Sequence, residues 1–158
     1  MKINKNAFEL VNSGQNMIIC GQAGVGKTHL VKHIVQYKRK EQKHVFVVCS
    51  TGIVVLEDGR HLNEELLHLI KTDERFLHVK ANIECTDLLI IDEVSMISTK
   101  VLNQLEFVCI HVRKSDSYFG NMQVVLVGDF ISYGNRETNV LIFLNCMSGE
   151  FSSSHIIP

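Results

Sequence analysis

The sequence predicts an α/β domain, a mainly parallel sheet flanked by helices, and three observations lead there. Four short β-rich runs are apolar at consecutive rather than alternate positions, as strands covered on both faces are. Helical patterns separate them along the chain, which is how parallel strands must be joined. A glycine-rich turn links the first run to the first long helical pattern, at the strand end where open parallel sheets place their ligands.

Taken in order, Lys5–Asn12 presents Ala7, Phe8, Leu10 and Val11 at helical spacing. Asn16–Cys20 follows as the first strand. Thr28–Lys40 is a helix with Leu30, Val31, Ile34 and Val35 on its apolar side, and His44–Cys49 is the second strand. Leu62–Lys71 repeats the helical pattern through Leu62, Leu66, Leu67 and Ile70 before the third strand, Leu88–Asp92. Lys100–Arg113 places Val101, Leu105, Val108 and Val112 on one face, with Ser98 or Thr99 as its N-cap. Gln123–Val127 is the fourth strand. Residues 1–150 are expected to form one domain, and Phe151–Pro158, with three serines and the chain's single proline, reads as an unstructured end or the start of a linker.

Composition narrows the function. At 158 residues, 46% hydrophobic and 21% charged, the chain suits one globular domain. A formal charge of −1 supplies no overall basic field, so any nucleic-acid contact must be local. Apolar runs such as Val45–Cys49 are far too short for a membrane span, and the first residues lack a secretory pattern, which points to a soluble intracellular protein away from membranes. The five cysteines are widely spaced, without a Cys-x-x-Cys pair, and read as buried thiols in a reducing compartment. His29 and His33 share a helical face, a spacing open to metal, but without an evident third ligand they read as a solvated or packed pair.

The strongest chemical signal is Gly21-Gln22-Ala23-Gly24-Val25-Gly26-Lys27-Thr28, a complete G-x-x-x-x-G-K-[ST] pattern between a strand and a helix. A backbone that wraps a polyphosphate has no room for side chains where the oxygens sit, hence Gly21, Gly24 and Gly26. Amide N–H groups and the helix N-terminus face the phosphates, Lys27 adds a point charge near the β and γ oxygens, and the Thr28 hydroxyl suits Mg²⁺. A plain glycine-rich turn gives no reason for Lys followed by Thr.

The third strand ends in Asp92-Glu93. In this company Asp92 suits water-mediated Mg²⁺ binding and Glu93 the activation of a water that attacks the γ-phosphate. Alone, the pair reads equally well as a helix N-cap. Asp129, after Val124–Gly128, reaches the same crevice, either sensing the phosphate state or capping a turn.

Together Gly21–Thr28, Ser50-Thr51-Gly52-Ile53, Leu89-Ile-Ile-Asp-Glu-Val-Ser-Met96 and Phe119-Gly-Asn-Met-Gln-Val-Val-Leu-Val-Gly-Asp-Phe130 resemble, in this order, the first motor domain of Pif-type DNA helicases. The resemblance covers residues 5 to 132 and implies a RecA-like P-loop NTPase domain that uses ATP and Mg²⁺. It further implies unwinding of duplex DNA by 5′-to-3′ translocation on a single strand, roles in repair, recombination and telomere maintenance, and residence in the nucleus or mitochondrion. By that resemblance Gly24, Gly26, Lys27 and Thr28 bind nucleotide and Mg²⁺, Asp92 and Glu93 serve hydrolysis, and Ser50 and Thr51 touch the DNA backbone, where a polar turn is the other reading. The basic cluster Lys38-Arg39-Lys40 with Lys43 either meets DNA or is a solvated helix end.

The departures carry information too. Ser132 stands where the family has a longer Gln, and Asn4 stands near the family's adenine-reading Gln. None of Arg39, Arg60, Arg75, Arg113 and Arg136 lies in a motif that would complete the hydrolytic site, a part the family draws from a second motor domain. The chain alone is therefore expected to be a monomer that binds Mg-ATP weakly, hydrolyses it slowly and unwinds nothing. The alternative is a catalytically degenerate nucleotide-binding or interaction module.

Overall fold

The computed structural model describes residues 5–22, 24–49, 63–129 and 151–156. Its elements are α1 (Lys5–Asn12), β1 (Asn16–Cys20), α2 (Lys27–Lys40), β2 (Val45–Cys49), α3 (Asn63–Thr72), α4 (Leu77–Cys85), β3 (Leu88–Asp92), α5 (Thr99–Arg113), β4 (Gln123–Gly128) and β5 (Phe151–Ile156). Short 3₁₀ turns cover Glu74–Phe76, Val94–Met96 and Tyr118–Asn121. The strands lie in the order β2-β3-β4-β1-β5, and every pairing is parallel.

The consecutive apolar residues of each strand divide between two cores. Met17, Ile19, Leu88, Ile90, Val125 and Val127 pack with Ala7 and Val11 of α1 and with Leu30, Val31 and Ile34 of α2. Ile18, Leu89, Ile91, Val124 and Leu126 face the other way, onto Val101, Leu102 and Cys109 of α5 and onto Phe119. A strand that must satisfy both layers cannot alternate with polar residues, which is why the pattern was readable. Outside α5, Leu66 and Ile70 of α3 close on Val108 and Val112. Ser98 caps α5, its side chain accepting from Val101 N–H at 3.4 Å. Among the described residues no helix is long and apolar enough to cross a membrane.

Several expectations are corrected. Phe151–Ile156, expected to be irregular, pairs in parallel along β1, because the backbone groups on that side of β1 accept a strand whatever its side chains. β2, expected to be covered on both faces, exposes Phe46 (40%) and Val47 (42%), as the outermost strand of the described sheet. Cys109 is buried, but Cys49 and Cys85 are exposed and Cys20 is intermediate, so the expectation of five buried thiols fails on placement; Cys146 lies outside the described residues. The basic end of α2 is not uniformly solvated. Lys38 is buried with its ammonium 3.0 Å from Glu41, whereas Lys40 is exposed.

Candidate nucleotide-binding site

All described strands point the same way, so their C-terminal ends form one edge. Register aligns Cys20 with Gly128 across β1 and β4, and Cys49 with Asp92 across β2 and β3. Since β4 separates β1 from β3, the turn after β1 and the carboxylates after β3 stand two strand spacings apart, about 10 Å. Asp129, one residue past Gly128, lies between them and is buried.

The turn after β1 is tied to its neighbour by Gly21 N–H donating to Gly128 C=O at 3.4 Å. It then bends through two left-handed glycines, Gly24 at φ 84° and Gly26 at φ 96°. No heavy atom comes within 4 Å of a Cβ built on Gly24, so the loop's outer face is open. Gly26 is the residue before α2, and its carbonyl accepts from His29 and Leu30 N–H at 3.0 and 3.1 Å. The first turn of α2 thus directs its own N–H groups toward the loop.

Lys27 is buried and its ammonium donates to two loop carbonyls, those of Gly21 and, at 2.9 Å, Gln22. Carbonyl and phosphate oxygens are alternative acceptors for one ammonium, so the lysine is held where an anion in the loop would meet it. Thr28 is exposed on the first turn. Beneath the loop, burial pushes the half-buried Cys20 thiol up to about 11, with the Lys27 charge acting in the opposite direction.

At the end of β3, Asp92 accepts from the N–H of Glu93 at 2.9 Å. Glu93 is exposed and left-handed at φ 55°, a conformation that non-glycine residues adopt at a cost, and the 3₁₀ turn Val94–Met96 follows it. The helix N-cap reading of this pair does not hold for Glu93, whose side chain makes no capping bond to that turn.

The structure therefore brings Gly21, Gln22, Gly24, Val25, Gly26, Lys27, Thr28, Asp92, Glu93 and Asp129 to one edge of the sheet. Ala23, Ser50 and Thr51 lie outside the described residues, as do Asn4 and Ser132. Thr28 and Asp92 supply the hard oxygen ligands that suit Mg²⁺, and the open glycine turn with Lys27 suits a polyphosphate, so the residues present fit both. Sequence reasoning missed the Lys27 contacts to its own loop and the Gly21–Gly128 tie; the latter had a signal in register, since a loop must leave β1 beside whatever strand pairs with it.

A PIF1-like helicase family model matches residues 2–134 of this sequence. The chain belongs to the PIF1-like helicase family. It is 33% identical over 138 residues to the ATP-dependent DNA helicase Pif1 of a Psychrobacter species, covering 78% of this chain and 20% of that protein. It is also 31% identical over 155 residues to a protein of Invertebrate iridescent virus 6, covering 83% of this chain and 29% of that protein. Among solved structures, Pif1 helicase from Candida albicans superposes with a TM-score of 0.78 at 22% identity, over 99% of this chain and 39% of that one. A Bacteroides Pif1 in complex with ADP-AlF4 gives 0.61 at 26% identity, over 90% and 36%. The PIF1-like domain thus has the RecA-like α/β fold and spans well under half the length of these relatives.

Proposed function

We propose that this PIF1-like chain is the ATP-binding and hydrolysing first motor domain of a 5′-to-3′ DNA helicase. The observation that carries the reading is the convergence of the Gly21–Thr28 loop, Asp129 and the Asp92-Glu93 pair on one strand edge, with Lys27 buried under that loop. The loop N–H groups and Lys27 would hold the β and γ phosphates, while Thr28 and Asp92 would hold Mg²⁺. The bound ion supplies Lewis-acid charge neutralisation at the phosphates. Glu93, exposed at the rim, orients a water and takes its proton as the water oxygen attacks the γ-phosphorus and the bond to the ADP oxygen breaks. Asp129, wedged between the two groups, reports the phosphate state to β4.

Slow turnover is part of the proposal. Among the described residues Arg39 donates to Val45 C=O, Arg75 to Asp73 and Arg113 to main-chain carbonyls, so each is engaged away from the loop. An arginine that completes such a site is worth about 10³ to 10⁵ in rate. Ser50 and Thr51, which follow β2 in the sequence, are assigned to the backbone of single-stranded or duplex DNA, held weakly and without base reading. Support from relatives is that one Bacteroides Pif1 structure, 25% identical with a TM-score of 0.59, is a complex with ADP-AlF3 and ssDNA. The motor domain extends through Ile156, since β5 belongs to its sheet. Genome maintenance in an intracellular compartment, nuclear or mitochondrial in a eukaryotic host, and a monomeric state in solution complete the reading.

The test is calorimetric titration of the purified chain with Mg-ATP, paired with phosphate release with and without a single-stranded oligonucleotide. Saturable binding and slow hydrolysis, both lost in Lys27→Ala, are expected, with no strand separation on a forked duplex. Binding that Lys27→Ala leaves intact would defeat the reading and favour the degenerate module that Asn4 and Ser132 suggest.

A further inference from the structure

Helix α2 carries His29 and His33 four residues apart, so the two side chains stand one turn apart on a shared face. The rings meet edge-on, with centroids 4.4 Å apart and planes inclined at 76°. Their Nε2 atoms are 2.9 Å apart. His29 is exposed and His33 half-buried, so the converging nitrogens are open to solvent. In the metal-free pair one ring donates its Nε2–H to the other.

That separation also has a meaning for a metal. Two imidazole nitrogens, each about 2.0 to 2.1 Å from one ion, lie about 2.8 to 3.0 Å apart when they bind at right angles and about 3.3 to 3.4 Å apart at the corners of a tetrahedron. The observed 2.9 Å is the right-angle value. We propose that His29 and His33 form a two-imidazole site for a divalent transition ion of tetragonal preference, with Cu²⁺ the strongest occupant and Ni²⁺ the next. Among the described residues no group of three His, Cys, Asp or Glu could hold a metal, so this is an open site whose other positions belong to water, unlike a closed structural zinc centre. Divalent copper heads the affinity order for nitrogen ligands and accepts adjacent ligands at right angles. For binding, the ring that donates its Nε2–H must present that nitrogen unprotonated, so that each Nε2 offers the ion a lone pair.

An ion there bridges the first and second turns of α2. Its two ligands are not residues of the phosphate loop, although His29 directly follows Thr28. Holding the second imidazole on the same helix makes its binding intramolecular, which is why losing either ring costs far more than half the affinity.

The experiment titrates Cu²⁺ into the untagged chain, its accessible thiols first blocked by alkylation, without nucleotide and in a non-coordinating buffer, by calorimetry and by electron paramagnetic resonance. One equivalent should bind with a tetragonal signal split by two nitrogens. His29→Gln and His33→Gln should each weaken binding at least tenfold, and His68→Gln on α3 should leave it within twofold. These histidines lie at the surface, and a far-ultraviolet dichroism spectrum checks that each variant folds. An unchanged affinity in either α2 variant, or a one-nitrogen signal in the intact chain, would overturn the assignment. Neither result bears on Mg-ATP binding, which the Lys27→Ala titration reads separately.

Discussion

The two ends of the sheet are held by opposite means. Where the chain enters the strands, side chains stitch the backbone: Gln123 donates to the carbonyls of Val11 and Gln15 at 3.0 and 2.8 Å, and Asn16 accepts from Val124 N–H at 2.7 Å. Asp87 accepts from His44 N–H at 2.9 Å, and Arg113 gathers the carbonyls of Ile83, Glu84, Thr86 and Gly120 at 2.7 to 3.0 Å. Where the chain leaves the strands there are glycines, carboxylates and a lysine turned onto its own loop. One end spends its polar groups on the fold and the other keeps them for a ligand. A substitution should therefore move stability or binding according to its end, and seldom both.

The largest effect expected is at the exit end. Lys27→Ala should weaken Mg-ATP binding by at least about a hundredfold, the value of a charge-assisted contact to phosphate, while the urea midpoint shifts little. At the entry end, Arg113→Met strips one cation from four carbonyls and should cost about 3 kcal/mol in urea unfolding, with nucleotide affinity kept within twofold. Loss of nucleotide binding in that folded variant would break the comparison. Gly120→Ala should cost about 2 kcal/mol by the same measurement. Gly120 sits at φ 65°, and an added Cβ would lie 2.7 Å from the Cys109 carbonyl oxygen. Gln123→Ala should cost about 1 kcal/mol, since it leaves the Val11 and Gln15 carbonyls without that donor.

The smallest effect is on thiol chemistry. Burial pushes the Cys109 thiol up to about 12, so at pH 8 its thiolate fraction is negligible. Alkylation mapped by mass spectrometry should modify the exposed Cys49 and Cys85 and spare Cys109 in the folded protein.

What could be read from the sequence follows the same division. β1, β3 and β4 were legible because a strand buried on both faces leaves a continuous apolar run, and α2 because its glycine-rich entry is chemically costly without a phosphate to bind. α4 was not legible: none of its residues is fully buried, so no apolar stripe marks it. β5 carries Ser152, Ser153 and Ser154, and only the open side of β1 makes it a strand. The exposure of β2 was hidden for the converse reason, since Phe46 and Val47, on opposite faces of the strand, look like core and are made surface by strand order. The Arg113 clamp joins carbonyls about thirty residues upstream to one seven residues downstream, and no local pattern encodes that meeting. At the exit edge the loop and both carboxylates were legible as motifs, but the burial of Lys27 and the twist at Glu93 belong to tertiary structure.

That twist sets endurance against turnover at a single position. A glutamate at φ 55° stays there against a preference of about 1 kcal/mol, which glycine would not feel. Breeding this domain for heat tolerance should therefore keep proposing Gly at 93, and each such survivor would have discarded the carboxylate proposed above as the proton acceptor for hydrolysis.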